Sequence, residues 1–322
     1  MSTITHKPKY FMFDTFKNRL EITGKLNTIT ALRISAGRST EPFGTDLPVI
    51  KDALGQPLIP GSSFKGALRS RIESFLRGID SNFAANPTIE AESSIPSKAI
   101  KDERGNIIKK GLDTIKQEIE DEIEDELKDD KENILNYDKR LTEEILKILE
   151  KKDLASHLFG SPWIASKFQV RDLTVVPDTW FGQYQERDGV AIDRDTETAA
   201  DGKFYDFQVV PAGTRFEFRA VVENAKPWEL GLLMMGLHQF ETEQITLGGG
   251  RSRGLGVVKL DIEKMSWVDV ENSPQFLLQY LQKLVMGDET AYEDASDYRD
   301  EWVHQLIDYL NRQISQKNSN TP

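Results

Sequence analysis

Residues 58–72, LIPGSSFKGALRSRI, set two serines, a glycine and two cations into what reads as the opening of a helix. Lys65 and Arg69 stand one turn apart where the helix dipole and unsatisfied N–H groups already make the end partly positive. Such a cluster asks for a shared anion. A phosphate would find backbone N–H groups, the hydroxyls of Ser62 and Ser63, close approach at glycine and two charges. The spacing is not that of a Walker loop, and a capped helix with solvated Lys65 and Arg69 is the ordinary alternative. A second stretch, GGGRSRGLG at 248–256, places five glycines in nine residues around Arg251 and Arg253. Bare backbone at Gly249 and Gly250 can approach a polyphosphate chain, and guanidinium forks suit its oxygens. Here the ordinary alternative is a mobile hairpin tip, and the glycine pattern that leads into a dinucleotide-binding helix is missing. Two phosphate-suited loops in one chain point to an extended ligand.

Asp46, in PFGTDLPVIKD, stands between basic segments. A carboxylate beside a phosphate backbone is tolerated when it binds a metal, orients a 2′-hydroxyl or faces away. Asp52 reads as a turn residue with Gly55. His6, His157, His238 and His304 form no ligand-spaced pair, and no Ser-His-Asp or HExxH arrangement is present. The absence of cysteine removes disulfides, thiolate zinc sites and a thiol nucleophile together. Any metal must sit on oxygen or histidine.

The 322 residues, 38% hydrophobic and 29% charged, are those of a soluble globular chain with room for one large core or two modest ones. No apolar run reaches bilayer length, and MSTITHKPKY lacks a signal-peptide core, so a cytoplasmic location and no membrane partner are expected. The net charge of −12 argues by itself against nucleic acid. Its distribution argues otherwise: residues 101–152 hold 17 acidic and 12 basic side chains, and 288–301 are acidic again. Between 33 and 71 the balance reverses, with Arg33, Arg38, Lys51, Lys65, Arg69 and Arg71 against Glu41, Asp46 and Asp52.

The elements that would position these residues follow from periodicity. Leu20, Ile22 and Leu26 alternate with polar neighbours, as in a half-buried strand. A long loop follows, and then a helix capped by Ser62 or Ser63, with Phe64, Ala67, Leu68, Ile72 and Phe75 at helical spacing. Leu112, Ile115, Ile119, Ile123 and Leu127 stripe an acidic helix, followed by a second at 141–152; together they read as an inserted amphipathic hairpin. KFQVRDLTVV returns to strand, and DGVAIDRDTETAADGKF reads as a polar loop. YDFQVV and TRFEFRAVVE are expected to pair as a hairpin through Pro211, Ala212 and Gly213. A helix burying Leu230, Leu233, Met234, Leu237 and Phe240 leads to the glycine-rich loop and a last strand. Helices at 274–286 and 297–315 finish the chain, the second with Val303, Leu306, Ile307, Leu310 and Ile314 on one face. Strands interrupted by helices give an α+β fold with insertions.

Taken in order, GTDLPVIKDALGQPLIPGSSFKGALRSRIE, HLFGS, QVRDL, GVAIDRDTETAADGKFYDFQVVPAGTRFEF and LGGGRSRGLGVVKL resemble the RAMP superfamily of type III CRISPR effector complexes, in particular the repeated backbone subunit of Csm-type complexes. The resemblance covers about two-thirds of the chain. It implies an RRM-like ferredoxin core, or palm, at 1–78 and 153–270, with a thumb hairpin around 185–215. An inserted acidic helical module would occupy 79–152, and C-terminal helices at 271–322 would pack on the core.

The implied function is to bind a CRISPR guide RNA and cleave complementary target RNA by metal-dependent attack of a 2′-hydroxyl, leaving a 2′,3′-cyclic phosphate and a 5′-hydroxyl. Guide contacts would come from Ser62, Ser63, Lys65, Arg69, Gly249, Gly250, Arg251 and Arg253, together with Arg38, Lys51 and Arg194. Ala191, Ile192, Asp193 and Arg194 match the thumb that displaces a base, and Asp46 matches the family's catalytic aspartate, which would hold a divalent ion such as magnesium. Further implied partners are other type III effector subunits, including neighbouring backbone subunits. Some relatives carry a cysteine zinc site that this chain cannot build, so no zinc is expected. The acidic insertion is longer than in the simplest members and points to a type III-D-like subunit. Two alternatives stand beside this one: a guide-binding scaffold without catalysis, and an enzyme acting on a nucleotide or phosphorylated metabolite.

Overall fold

The computed structural model describes residues 15–37, 46–86, 89–126, 132–177, 179–192, 199–271 and 273–319. In chain order the elements are β1 (Asn18–Thr28), β2 (Leu58–Ile59), α1 (Gly61–Ile79), β3 (Ile100–Lys101), β4 (Ile107–Lys109), α2 (Leu112–Glu126), α3 (Glu132–Lys152), α4 (Leu154–Phe159), β5 (Phe168–Val170), β6 (Leu173–Thr174), β7 (Gln185–Ile192), β8 (Ala199–Val209), β9 (Arg215–Glu223), α5 (Pro227–Glu241), β10 (Val258–Asp269), α6 (Pro274–Met286), β11 (Glu293–Asp294) and α7 (Tyr298–Ser319). The chain divides into two compact units, Lys17–Arg71 with Phe168–Pro322, and Met1–Phe16 with Ile72–Lys167.

The first unit is built on an antiparallel sheet in the order β11-β10-β1-β9-β5. Without β11, the path β1–α1–β5–β9–α5–β10 is a βαββαβ chain whose first strand lies between the fourth and the third, the ferredoxin-like arrangement. Leu20, Ile22 and Leu26 on β1 and Phe216, Phe218, Ala220 and Val222 on β9 turn to one face and are buried, as period-2 alternation requires. The helices α1 and α5 cover that face. Phe64 of α1 stacks on Phe240 of α5 at 4.4 Å between ring centroids and lies 5.0 Å from Phe218 of β9. The start of α5 is set by Pro227 and by Glu229, whose Oε2 accepts the Lys226 N–H at 2.7 Å. Against α5 lies α7, with Trp228 and Tyr309 stacked at 4.4 Å.

Four expectations need correction. The helix α1 begins at Gly61, so Ser62 and Ser63 lie inside its first turn and neither caps it; the Gly61 N–H donates instead to Asp172 Oδ1 at 2.8 Å. Strands β8 and β9 do not pair with each other. Both edges of β9 are taken by β1 and β5, so β8 pairs with β7, from Gln185 opposite Val209 to Ile192 opposite Ala199. That pairing makes strands of most of the stretch read as a polar loop. On α7 the buried stripe is Trp302, Leu306 and Leu310, while Ile307 and Ile314 are exposed.

The second unit holds the acidic helices. Ile115 and Ile119 of α2, Ile145, Leu146 and Leu149 of α3, and Ile95 and Ile164 form its core, as the α2 stripe foretold; α3 starts earlier than its apolar spacing indicated, and Leu127 lies outside the described residues. The buried Asp153 carboxylate accepts from Ser94 Oγ at 2.5 Å, Ser156 Oγ at 2.6 Å and the Ser156 N–H at 3.2 Å, which caps α4. Among the described residues, no helix is long and apolar enough to cross a membrane.

The three-ring contact joins both helices to the sheet. Phe64→Ala is expected to remove ~3–5 kcal/mol of stability through lost burial and an unfilled cavity. Chemical denaturation checks this, and a loss below about 1 kcal/mol would show that the contact does not hold the layers together.

Candidate functional site

Residues 29–36 continue from β1 past the end of the main sheet and bond to neighbours on both sides. On one side Ile29 and Thr30 N–H donate to Val257 O at 2.9 and 3.2 Å, Gly256 N–H to Ala31 O at 2.9 Å, and Gly249 N–H to Arg33 O at 2.9 Å. On the other, Leu32 and Val210 exchange bonds of 2.9 and 2.8 Å, Ala36 N–H donates to Pro48 O at 3.0 Å, and Ile50 N–H donates to Ile34 O at 2.9 Å. The strip extends further, because Leu58 N–H donates to Ile50 O at 3.2 Å and β2 pairs with β6. The glycine-rich loop, the end of β8, the Asp46 segment and the approach to α1 are thereby laid side by side.

The loop bends tightly around Arg251, Ser252 and Arg253, a short 3₁₀ turn between Gly250 and Gly254. Gly248 has φ +73°, and a Cβ there would stand 2.0 Å from Arg33 O, so no other residue permits this docking. Arg251 and Arg253 are exposed. Arg253 Nη1 donates to Tyr205 Oη at 3.0 Å. That bond, with the charges of Arg253 and Arg33, holds the Tyr205 phenol below its ordinary pKa. Tyr205 lies 6.1 Å from Phe207 between centroids, and the Arg33 guanidinium carbon stands 4.7 Å from the Phe207 centroid, a cation–π contact. Beneath Tyr205, the opposing residue on β7 is Gly189; a Cβ there would lie 2.4 Å from Tyr205 Cζ, so the ring occupies the space that glycine leaves.

The Asp46 N–H donates to Asp206 Oδ1 at 2.8 Å, and Gln208 N–H donates to Leu47 O at 3.1 Å, which fixes Asp46 next to β8. Asp206 faces Asp188 across the hairpin, an unfavourable pair of like charges that the Asp46 N–H partly offsets. Among the described residues, Arg33 Nε and Gln208 Oε1 are buried atoms without a hydrogen-bond partner. They leave polar capacity unspent beside Asp46 and the two rings.

At the head of α1, Ser62 is exposed while Ser63, Lys65 and Arg69 are half-buried. Lys65 Nζ donates to Phe168 O at 3.3 Å, and burial together with the Arg69 charge lowers its pKa. A lysine with a depressed folded-state pKa costs stability while it is charged, and that cost fades as pH rises toward the ordinary lysine range. The Lys51 Nζ stands 4.4 Å from the Tyr184 ring centroid, whose hydroxyl donates to Gly55 O at 2.7 Å. Burial, with Asp52 nearby, raises the Tyr184 phenol to about 12.

Several of the sequence-derived residues lie along this hydrogen-bonded strip or in the helix that follows it. Asp46 sits on the β8 side, Gly249, Gly250, Arg251 and Arg253 on the loop side, and Lys51, Ser62, Ser63, Lys65 and Arg69 toward α1. Ala191 and Ile192 end β7, and Arg38, Asp193 and Arg194 lie outside the described residues. Sequence reasoning counted Arg33 only in the local charge balance and gave Tyr205 and Phe207 no role beyond a strand. The signal available was the alternation in Tyr205-Asp206-Phe207-Gln208, which puts two rings on one side of a strand.

For a metal, no group of three or more His, Asp or Glu that could hold one occurs among the described residues. Asp46 and Asp206 are close, with one Asp206 oxygen taken by the Asp46 N–H. These two carboxylates do not make a protein cage; an ion held there would keep most of its waters and take further oxygens from a substrate.

A ferredoxin-like α+β core with a projecting hairpin, β7–β8, and a glycine-rich arginine loop defines the structural class. The chain belongs to the RAMP superfamily, whose sequence model matches residues 25–259. It is also similar to three proteins named CRISPR system Cms endoribonuclease Csm3. The one from Methanocaldococcus jannaschii is 42% identical over 60 residues, 18% of this chain and 24% of that protein. The one from Mycobacterium tuberculosis is 44% identical over 54 residues, 16% and 23% of the two chains. The one from Enterococcus italicus is 42% identical over 55 residues, 16% and 26%. The chain spans about a quarter of the length of these curated relatives.

The Tyr205–Arg253 pair can be read directly. With carbon-13 at tyrosine Cζ, Tyr205 is expected to titrate below about 10, and Arg253→Gln to return it to the ordinary range. Tyr205→Phe assigns the signal. A titration unmoved by Arg253→Gln would dissolve the pair.

Proposed function

We propose that this chain is an RNA-binding backbone subunit of a type III CRISPR ribonucleoprotein, and that it cleaves the RNA paired to its guide. The observation that carries the reading is the convergence, along the strip 29–36, of two exposed arginines, the half-buried Tyr205 ring and the Asp46 segment. Lys65, Arg69, Arg251 and Arg253 take guide phosphates, joined by the Ser62 and Ser63 hydroxyls at the start of α1. Contacts to backbone tolerate any guide sequence, since base pairing supplies specificity. The half-buried Tyr205 offers a ring face to a base turned out of the stack, with Phe207 buried behind it in the core, and the β7–β8 hairpin is the element that would displace the base. Other subunits of the complex and the target RNA are the partners this reading requires.

In cleavage, the 2′-hydroxyl oxygen attacks the adjacent phosphorus and the P–O5′ bond breaks. The hydroxyl proton finishes on O5′, giving a 2′,3′-cyclic phosphate and a 5′-hydroxyl. The contribution of this chain is to hold the phosphate backbone on its arginines and to keep Asp46 beside it. A divalent ion, magnesium by its chemistry, would be held by Asp46 with RNA oxygens and would stabilise charge developing on phosphate. The lack of a three-ligand cluster among the described residues favours a second reading, a guide-binding scaffold without catalysis.

The two are separated in the complex assembled with guide RNA and labelled complementary RNA in magnesium. Asp46→Ala is expected to abolish one or more cuts while target binding persists. Unchanged cutting would overturn the catalytic reading and leave the scaffold. In the same complex, Arg253→Ala is expected to weaken guide binding equally for unrelated sequences and to lower the slope of log affinity against log salt by about one. A loss confined to one guide sequence would contradict backbone recognition.

A further inference from the structure

The helix α6 is well terminated but barely covered. Ser273 Oγ accepts the Phe276 N–H at 3.4 Å at its start, and Gly287 closes it in the left-handed conformation. Only Tyr280 along it is buried. Phe276, Leu278, Leu281, Leu284, Val285 and Met286 are all exposed, with Leu278, Val285 and Met286 at 68%, 88% and 74%. A helix lying on a globular protein normally turns polar residues to water, and contiguous exposed apolar surface marks an interaction site.

The surface beside this helix identifies its occupant. Tyr280 Oη lies 3.0 Å from Tyr292 Oη, and Lys283 Nζ donates to Thr290 O at 3.2 Å, so α6 is tied to the segment that walls a groove of about 560 Å³. Trp267, Tyr298 and Trp302 line the groove, and Asp269, Glu271, Glu293 and Glu301 bring carboxylates to it. From 269 to 301 the sequence has nine carboxylates and two cations. One of these, Lys283, donates to the Thr290 carbonyl; the other, Arg299, is bound by Glu241. The carboxylate environment, Glu293 foremost, raises the Tyr298 phenol. Aromatic walls with carboxylates suit an inserted lysine or arginine. Negative charge disfavours nucleic acid and anionic lipid, and two acidic copies of one face repel each other across a two-fold axis.

We propose that α6 and the adjoining acidic aromatic groove form a docking surface for a segment of another protein that presents apolar side chains together with lysine or arginine. The proposal goes beyond the RNA-binding reading and uses none of its residues.

The test uses the full chain and a fluorescein-labelled amphipathic helical peptide of leucine and lysine, with a matched leucine–glutamate peptide as the comparison. The leucine–lysine peptide is expected to bind saturably and at least about tenfold tighter than its counterpart. Leu278→Glu with Val285→Glu is expected to weaken it at least about tenfold, although both changes add negative charge. Glu293→Gln with Glu301→Gln is expected to weaken it several-fold. Circular dichroism checks folding, and Leu278→Ser serves if the double variant unfolds. Equal binding of both peptides, or binding unmoved by either pair of changes, would overturn the proposal. So would a dimer in sedimentation velocity that Leu278→Glu with Val285→Glu dissolves, since the face would then belong to a second copy.

Discussion

A segment that leaves a sheet carries backbone N–H and C=O groups that must be paired elsewhere if the segment is to stay buried. For 29–36 those groups are met from both sides, by 249 and 256–257 on one and by 210 and 48–50 on the other. Arg253, Phe207 and Asp46 each lie within four residues of one of these bonds. Their placement is therefore set by main-chain geometry, which depends little on the identity of exposed side chains. Gly248 shows how tight the constraint is, since a Cβ there would collide with the Arg33 carbonyl to which the next residue bonds. A site held this way leaves the exposed Arg251 and Arg253 side chains facing solvent while Phe207 packs in the core.

The electrostatics follow from the same frame. The chain is acidic overall, yet the head of α1 and the glycine-rich loop are cationic. At α1 the structure supplies one internal answer to the helix dipole, the Asp172 carboxylate on the Gly61 N–H. The pKa of Lys65 is depressed by burial and, after that, by the Arg69 charge. Tyr205 moves the same way, its phenol pulled down by the Arg253 hydrogen bond and by the charges of Arg253 and Arg33. In each shift a neighbouring arginine contributes, at Lys65 after burial and at Tyr205 through a hydrogen bond as well as its charge, and the net charge of −12 conceals these cationic segments because the acidic runs lie elsewhere in the sequence.

How much of this could be read from the sequence depends on the range of the interaction. Strand β1, helices α1 and α5, and the paired α2–α3 stripe were legible because amphipathic period is local. The ferredoxin-like arrangement and the thumb hairpin came from the order of the motifs, not from periodicity. Apart from the phase of the α7 stripe and the start of α3, the failures were non-local. The β8–β9 pairing was a sound guess from a three-residue turn, but it competed with β1 and β5 for the same edges and lost. The serine caps failed because Asp172, far away in sequence, took the acceptor role. The roles of Arg33, Tyr205 and Phe207 were missed for the same reason: their importance comes from a juxtaposition across strands, of which the ring alternation at 205 and 207 and Gly189 opposite Tyr205 are the sequence traces.

The strip that carries Arg253 and Asp46 and the face of α6 are both incomplete in the isolated chain, in different physical senses. Water solvates exposed arginines well, so an empty cationic loop costs little, and its occupant is held by a force that salt weakens. Exposed leucine and valine have no such solvation, and covering them releases a free energy that salt does not screen. On the proposed readings, the first surface suits a nucleic-acid backbone whose sequence varies, and the second a protein contact that persists. The carboxylates around the α6 groove then act chiefly in selection, because they admit a cationic segment and repel both RNA and another copy of the same face.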